Sequence, residues 1–198
     1  MRDAAVVVPV VFRTQPSLVF VRRAAHLRRN PGDIGFPGGL IDATDDDARA
    51  AALREFEEEL GISRDRVQIF ERLPDVVTLA LSVTIAPFVG HVDAPATFAF
   101  EAAETESVHE IPIANLYAPG ALHEGIERVR RDETTYEVRS WLFDRPGVHV
   151  WGATARILRE LTLRFDERGL VARATRAAER GRLIGQATRA ADSGSRIG

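Results

Sequence analysis

Eight carboxylates crowd the stretch FPGGLIDATDDDARAAALREFEEELG, residues 36–61: Asp42, Asp45, Asp46, Asp47, Glu55, Glu57, Glu58 and Glu59, with only Arg49 and Arg54 as opposing charge. At about 100° per residue on a helix, Glu55, Glu58 and Glu59 share one face and Glu57 points away, while Leu53, Phe56 and Leu60 form a stripe for burial. Like charges at these spacings cost a few tenths of a kcal/mol per pair on an exposed helix, and more once desolvated. A hard divalent cation, Mg²⁺ or Mn²⁺, would offset that cost by taking carboxylate oxygens and keeping waters that bridge to substrate phosphates. The helical wheel leaves one alternative open, a solvated acidic face paired with Arg49 and Arg54.

The chain around this stretch has 198 residues, 45% hydrophobic and 28% charged, the size of one domain with a sizeable core. A net charge of -3 and a pI near 6.0 give no bulk attraction to nucleic acid or anionic membrane, so a polyanionic ligand must meet a local basic patch. All 26 basic residues are arginine, whose guanidinium suits forked phosphate contacts. The absence of cysteine excludes disulfides, a thiolate nucleophile and cysteine-ligated metal. The apolar run Ala4 to Phe12 follows Asp3, precedes no small-residue cleavage site and is too short to span a bilayer, so it reads as a buried strand of a cytoplasmic protein with no membrane partner.

The elements that must position the acids follow from local pattern. Residues 4–12 and the β-rich segment from Ser17 suggest a hairpin, and residues 24–39 hold too many Pro and Gly for any long regular element. The acidic helix should run from about Asp46 to Leu60, with Asp45 or Asp46 as N-cap and Gly61 as its stop. Further strands are expected at VQIFERL and around residues 81–92, a hairpin at IERVRR and YEVRSWLF, and an amphipathic helix from near Trp151. The elements mix without strict alternation, which indicates an α/β domain on a mixed sheet. From Asp166 onward the chain turns Ala- and Arg-rich, as an added helix or a partly disordered tail.

Gly38 and Gly39 followed by REFEEELGI, Arg54 to Ile62, resemble the signature of the Nudix hydrolases, with every fixed position matched from Arg54 onward. The front half departs, because Asp46 stands where that signature has its first Glu and Leu40 where it has Gly. The resemblance implies a Nudix fold, an αβα sandwich around a mixed β-sheet, over residues 1–165, with residues 166–198 as an extra C-terminal segment. It also implies metal ligation by Glu55, Glu58, Glu59 and the Gly38 carbonyl, Arg54 orienting the carboxylates, and a general base that is either Glu55 or Glu104.

The segment Leu18 to Gly39, LVFVRRAAHLRRNPGDIGFPGG, is similar to the region that coenzyme A pyrophosphatases place before this signature. Arg22, Arg23, His26, Leu27, Arg28, Pro31, Gly32, Phe36 and Pro37 fit it, and Val21, Ala24, Asp33 and Gly35 depart from it. This similarity implies Mg²⁺-dependent hydrolysis of coenzyme A or acyl-CoA to 3′,5′-ADP and (acyl-)4′-phosphopantetheine. Arg22, Arg23, Arg28, Arg29 and Gly39 would bind the substrate. Trp151 would anchor the last helix or stack on adenine. Two other readings stay open: another nucleoside diphosphate compound, such as ADP-ribose or a dinucleotide, as substrate, or a non-catalytic Nudix ligand sensor. No nucleic-acid partner is expected, and a homodimer is compatible with the sequence.

Overall fold

The computed structural model describes residues 2–27, 30–78, 83–95, 97–100, 102–131 and 133–194. Its elements in chain order are β1 (Arg2–Phe12), β2 (Pro16–Arg23), β3 (Ile34–Gly35), β4 (Gly38–Leu40), α1 (Ala48–Leu60), β5 (Val67–Arg72), β6 (Val76–Thr78), β7 (Val83–Val92), β8 (Thr105–Pro112), α2 (Ile113–Tyr117), β9 (Leu122–Arg131), β10 (Thr134–Arg145), β11 (Val148–Trp151), α3 (Gly152–Arg164) and α4 (Glu167–Gly194).

β1 is the axis of a mixed sheet. It runs parallel to β7 from Arg2 to Val10, and the hairpin expected at the N-terminus forms where Val10, Val11 and Phe12 face Leu18, Ser17 and Pro16 of β2. At its other end β1 pairs antiparallel with β4, setting Val6 opposite Gly38 and Ala5 opposite Gly39. A separate antiparallel sheet holds β9, β10 and β11.

Alternation along the strands sorts the core into two layers, because successive side chains point to opposite faces. Ala5, Val7, Val11, Val19 and Val21 pack beneath Ala51, Ala52, Phe56 and Leu60 of α1. Val8, Val10, Leu18 and Phe20 pack on the other face against Leu158 and Leu161 of α3 and Phe143 and Val150 of the small sheet. Helices therefore lie on both faces of a mixed sheet, as expected. The tail is helical from Glu167, and Leu170 and Ala174 are fully buried in that second layer.

The expected start of the acidic helix needs correction. The N-cap is Asp47, not Asp45 or Asp46: its side chain accepts from Ala50 N at 2.7 Å, and the helix begins at Ala48. Asp45 is turned the other way, toward Arg54, and so cannot cap. At the far end Gly61, with φ 63°, closes the helix by donating to the Glu57 carbonyl at 2.9 Å. No described helix is long and apolar enough to cross a membrane.

Candidate active site

α1 lies over β1 and β4, and this packing determines what each acid meets. Glu59 is buried to 5% exposure, and its Oε2 accepts from Gly38 N at 3.1 Å. Burial pushes its carboxyl up to about 7, with Glu55 and Glu104 adding to the rise and the Gly38 amide and Arg23 opposing it. Glu55 is half-buried and also raised, first by desolvation and then by Glu58 and Glu104, against the pull of Arg54. Glu58 is exposed. Glu57 faces away, as the wheel indicated, and pairs with Arg64 at 2.6 Å.

Two glycines of β4 allow close approaches here, one to β1 and one to the helix. Gly38 adopts φ 150°, and a Cβ there would meet the β1 backbone, 2.6 Å from Val6 Cα. A Cβ on Gly39 would meet the Glu55 carboxylate instead, 2.6 Å from Oε1. Gly38 thus serves the backbone, whereas Gly39 makes room for one functional side chain.

Arg54 organises the exposed edge. Its Nε and Nη2 donate to the two oxygens of Asp45 at 2.9 and 3.0 Å, and Nη1 donates to Glu55 Oε1 at 2.9 Å and Glu58 Oε2 at 3.2 Å. The forked bond draws the Asp45 carboxyl down to about 2 and keeps the guanidinium firmly protonated. Sequence register aligned Asp46 with the first acid of the signature, but Asp46 is exposed and Asp45 makes the grip. The longer loop after Gly39 displaces the register by one, a shift that spacing alone could not reveal.

The arginines expected to bind substrate divide between two faces. Arg23 turns toward the acids: its charge acts on Glu59, and its Nε is buried with no hydrogen-bond partner among the described residues. Arg22, the next residue on β2, turns the other way, donating to the Gly32 carbonyl at 3.2 Å and the Gly147 carbonyl at 2.9 Å. Arg28 and Arg29 lie outside the described residues. Glu104 is exposed at the rim, where its carbonyl accepts from Ala24 N at 2.9 Å and its charge acts on both Glu55 and Glu59. Trp151 ends β11 at the N-terminus of α3, its Nε1 donating to Asp33 Oδ1 at a long 3.4 Å.

Among the described residues no three acidic or histidine groups converge on one coordination point, and one nitrogen of Arg54 bonds both Glu55 and Glu58. The donor set nevertheless fits a hard cation. Glu55 and Glu59 are raised first by desolvation, against the pull of Arg54 and Arg23 respectively, and a bound dication would favour the charged form of both. Beside them the buried Arg23 Nε lacks an acceptor. Desolvated carboxylates beside an arginine nitrogen with no acceptor among the described residues suit a dication and a phosphate oxygen.

The NUDIX domain model matches residues 1–129. The chain belongs to the Nudix hydrolase family. It is 40% identical over 166 residues to the uncharacterised Nudix hydrolase NudL of Salmonella paratyphi B, a match covering 83% of each chain. To the NudL of Escherichia coli it is 38% identical over 164 residues, with the same coverage. Among solved structures the fold is similar to a Nudix hydrolase of M. smegmatis, RenU, with TM-score 0.54, 14% identity, and 83% of this chain and 88% of that one covered. DR0079 of Deinococcus radiodurans gives TM-score 0.52 at 17% identity, covering 80% and 81%. The protein is therefore a Nudix pyrophosphohydrolase acting on nucleoside diphosphate derivatives, members of a family that generally uses divalent metals such as Mg²⁺.

Proposed function

We propose that this Nudix hydrolase cleaves the diphosphate of coenzyme A or an acyl-CoA, giving 3′,5′-ADP and (acyl-)4′-phosphopantetheine. The observation that carries the hydrolytic site is the placing of the desolvated carboxylates Glu55 and Glu59 beside Gly38, with Arg23, whose buried Nε has no partner among the described residues, acting on Glu59. The coenzyme A preference is supported by the similarity of residues 18–39 to the coenzyme A pyrophosphatase region. Glu55, Glu58, Glu59 and the Gly38 carbonyl would hold Mg²⁺ or Mn²⁺. That ion would neutralise diphosphate charge and acidify water.

The chain's own groups account for the rest. Arg23 supplies a guanidinium to a phosphate oxygen at the face where its Nε has no partner among the described residues. Arg54, locked by Asp45, holds Glu55 and Glu58 in place as a positioning residue, and would give up its bonds to them to a bound cation. Glu104 accepts the proton of the attacking water from its exposed position opposite Glu55 and Glu59, with Glu55 as the second candidate. In-line attack on one phosphorus then breaks the anhydride. Arg28 and Arg29 would extend the phosphate contacts, with Gly39 admitting the substrate beside Glu55. The protein would act in the cytoplasm, as a monomer or homodimer, with residues 1–165 as the catalytic domain.

Ala24, Asp33 and Gly35, which depart from the coenzyme A pattern, favour a second substrate, ADP-ribose or a dinucleotide, on the same site. A panel of coenzyme A, acyl-CoA, ADP-ribose and dinucleotides, run with Mg²⁺ and Mn²⁺ on wild type and Glu59→Gln, tests both. Coenzyme A cleavage lost in the variant is expected. Turnover of ADP-ribose alone selects the second substrate, and binding without any turnover selects a sensor.

A further inference from the structure

β9 is the terminal strand of the small sheet, and among the described residues no strand pairs with its outer side. Folded proteins usually blunt such an edge with a bulge, a proline or a short strand, because its free N–H and C=O groups invite another chain. β9 carries none of these. It runs ten residues, Leu122–Arg131, without proline and in unbroken register with β10. The edge strand β5 of the larger sheet, by contrast, has a register break between Ile69 and Glu71 and is covered by α4, whose Gly181 lies against Gln68.

The free groups of β9 can be assigned. Arg131 and Thr134 close the ladder with two residues between them, which makes them a mutually hydrogen-bonded pair. Alternation back along the strand then directs the N–H and C=O of Glu124, Ile126 and Arg128 away from β10. The side chains of the same three residues share one face and all are exposed, Ile126 to 62%. Arg128 Nε donates to Glu137 Oε1 of β10 at 3.2 Å.

This edge is complementary to itself. An antiparallel copy related by a two-fold axis at Ile126 sets Ile126 against Ile126 and, on either side of the axis, Glu124 against Arg128. Sliding the copy by two residues in either direction opposes Ile126 to a charge, Arg128 or Glu124. Only the centred register joins apolar to apolar and acid to base.

We propose that two copies of this chain pair antiparallel along β9 with the axis at Ile126, joining their small sheets into one. The second copy supplies the backbone bonds that the edge lacks, apolar contact for Ile126 and an opposite charge for Glu124. Arg128 then sits between Glu137 of its own β10 and Glu124 of the other copy. One strand pair is a small interface, so the dimer is weak and concentration-dependent. Hydrolysis is not needed for the pairing, since the acids of α1 lie over the other sheet.

Sedimentation velocity of the full chain, from micromolar to submillimolar concentration, is the test. Wild type should pass from monomer to dimer across that range. Glu124→Arg and Arg128→Glu should each weaken the dimer about tenfold or more, because two opposite-charge pairs become like-charge pairs. An equimolar mixture of the two variants should dimerise as wild type does, since every reversed charge then meets its opposite. Urea melts check that the variants fold. Ile126→Lys, which sets like charges on the axis, should also weaken the dimer and keeps the test decisive if a charge reversal fails to fold. Wild type that stays monomeric throughout, a dimer indifferent to all three substitutions, or a mixture no more dimeric than its components overturns the proposal.

Discussion

Replacing Gly39 by alanine should separate catalysis from folding. The added Cβ would lie 2.6 Å from Glu55 Oε1, against ordinary contact near 3.4 Å, and the atoms it meets are the end of a side chain tied only to Arg54 among the described residues. The carboxylate must give way by about 1 Å, a displacement able to cost about a hundredfold in rate when it falls on a reacting group. Stability should hold or rise by about 0.5 kcal/mol, since alanine lowers the entropy of the unfolded chain where the backbone permits it. Gly38→Ala is the control: its Cβ meets the rigid backbone of β1 at φ 150°, so it should destabilise by on the order of 3 kcal/mol. The assay pairs kcat for diphosphate hydrolysis at saturating Mg²⁺ with urea unfolding of both variants. A Gly39→Ala enzyme with wild-type kcat, or one that unfolds as readily as Gly38→Ala, refutes the argument that Gly39 exists to seat Glu55.

Other outcomes follow from the same geometry. Glu59 titrates at about 7 in the fold against an ordinary 4.5, so the folded state holds its proton more tightly; its stabilising contribution is complete below about pH 4.5 and lost as pH rises through 7. Metal-free Glu59→Gln should therefore gain on wild type by on the order of 3 kcal/mol between pH 5 and pH 8 in urea melts, while losing hydrolysis. Asp45→Asn frees Arg54 and should lower kcat or metal affinity about 10- to 100-fold, with Asp46→Asn near wild type in the same metal titration. Leu170→Ala should cost about 2–5 kcal/mol in chemical denaturation, because that residue of α4 is fully buried in the core.

Helical spacing alone placed Glu55, Glu58 and Glu59 on one face of α1, set Glu57 apart and marked Gly61 as the stop, because those relations span a few residues of one regular element. The N-cap escaped the same reading. Asp45, Asp46 and Asp47 are chemically alike, and only the position of Arg54 across the turn decides that Asp45 grips it and Asp47 caps.

Local relations are legible in the residues alone: the period of each strand and helix, the breakers that end them, and the residue types able to hold a cation or a phosphate. The remainder depends on how distant segments pack. The parallel pairing of β1 with β7, the burial of Glu59 under Gly38, the division of adjacent Arg22 and Arg23 between two faces, and the meeting of Trp151 with Asp33 across 118 positions all depend on packing between distant segments. Burial also set the carboxyl of Glu59 near neutrality, since desolvation is a property of the neighbours a group acquires in the fold.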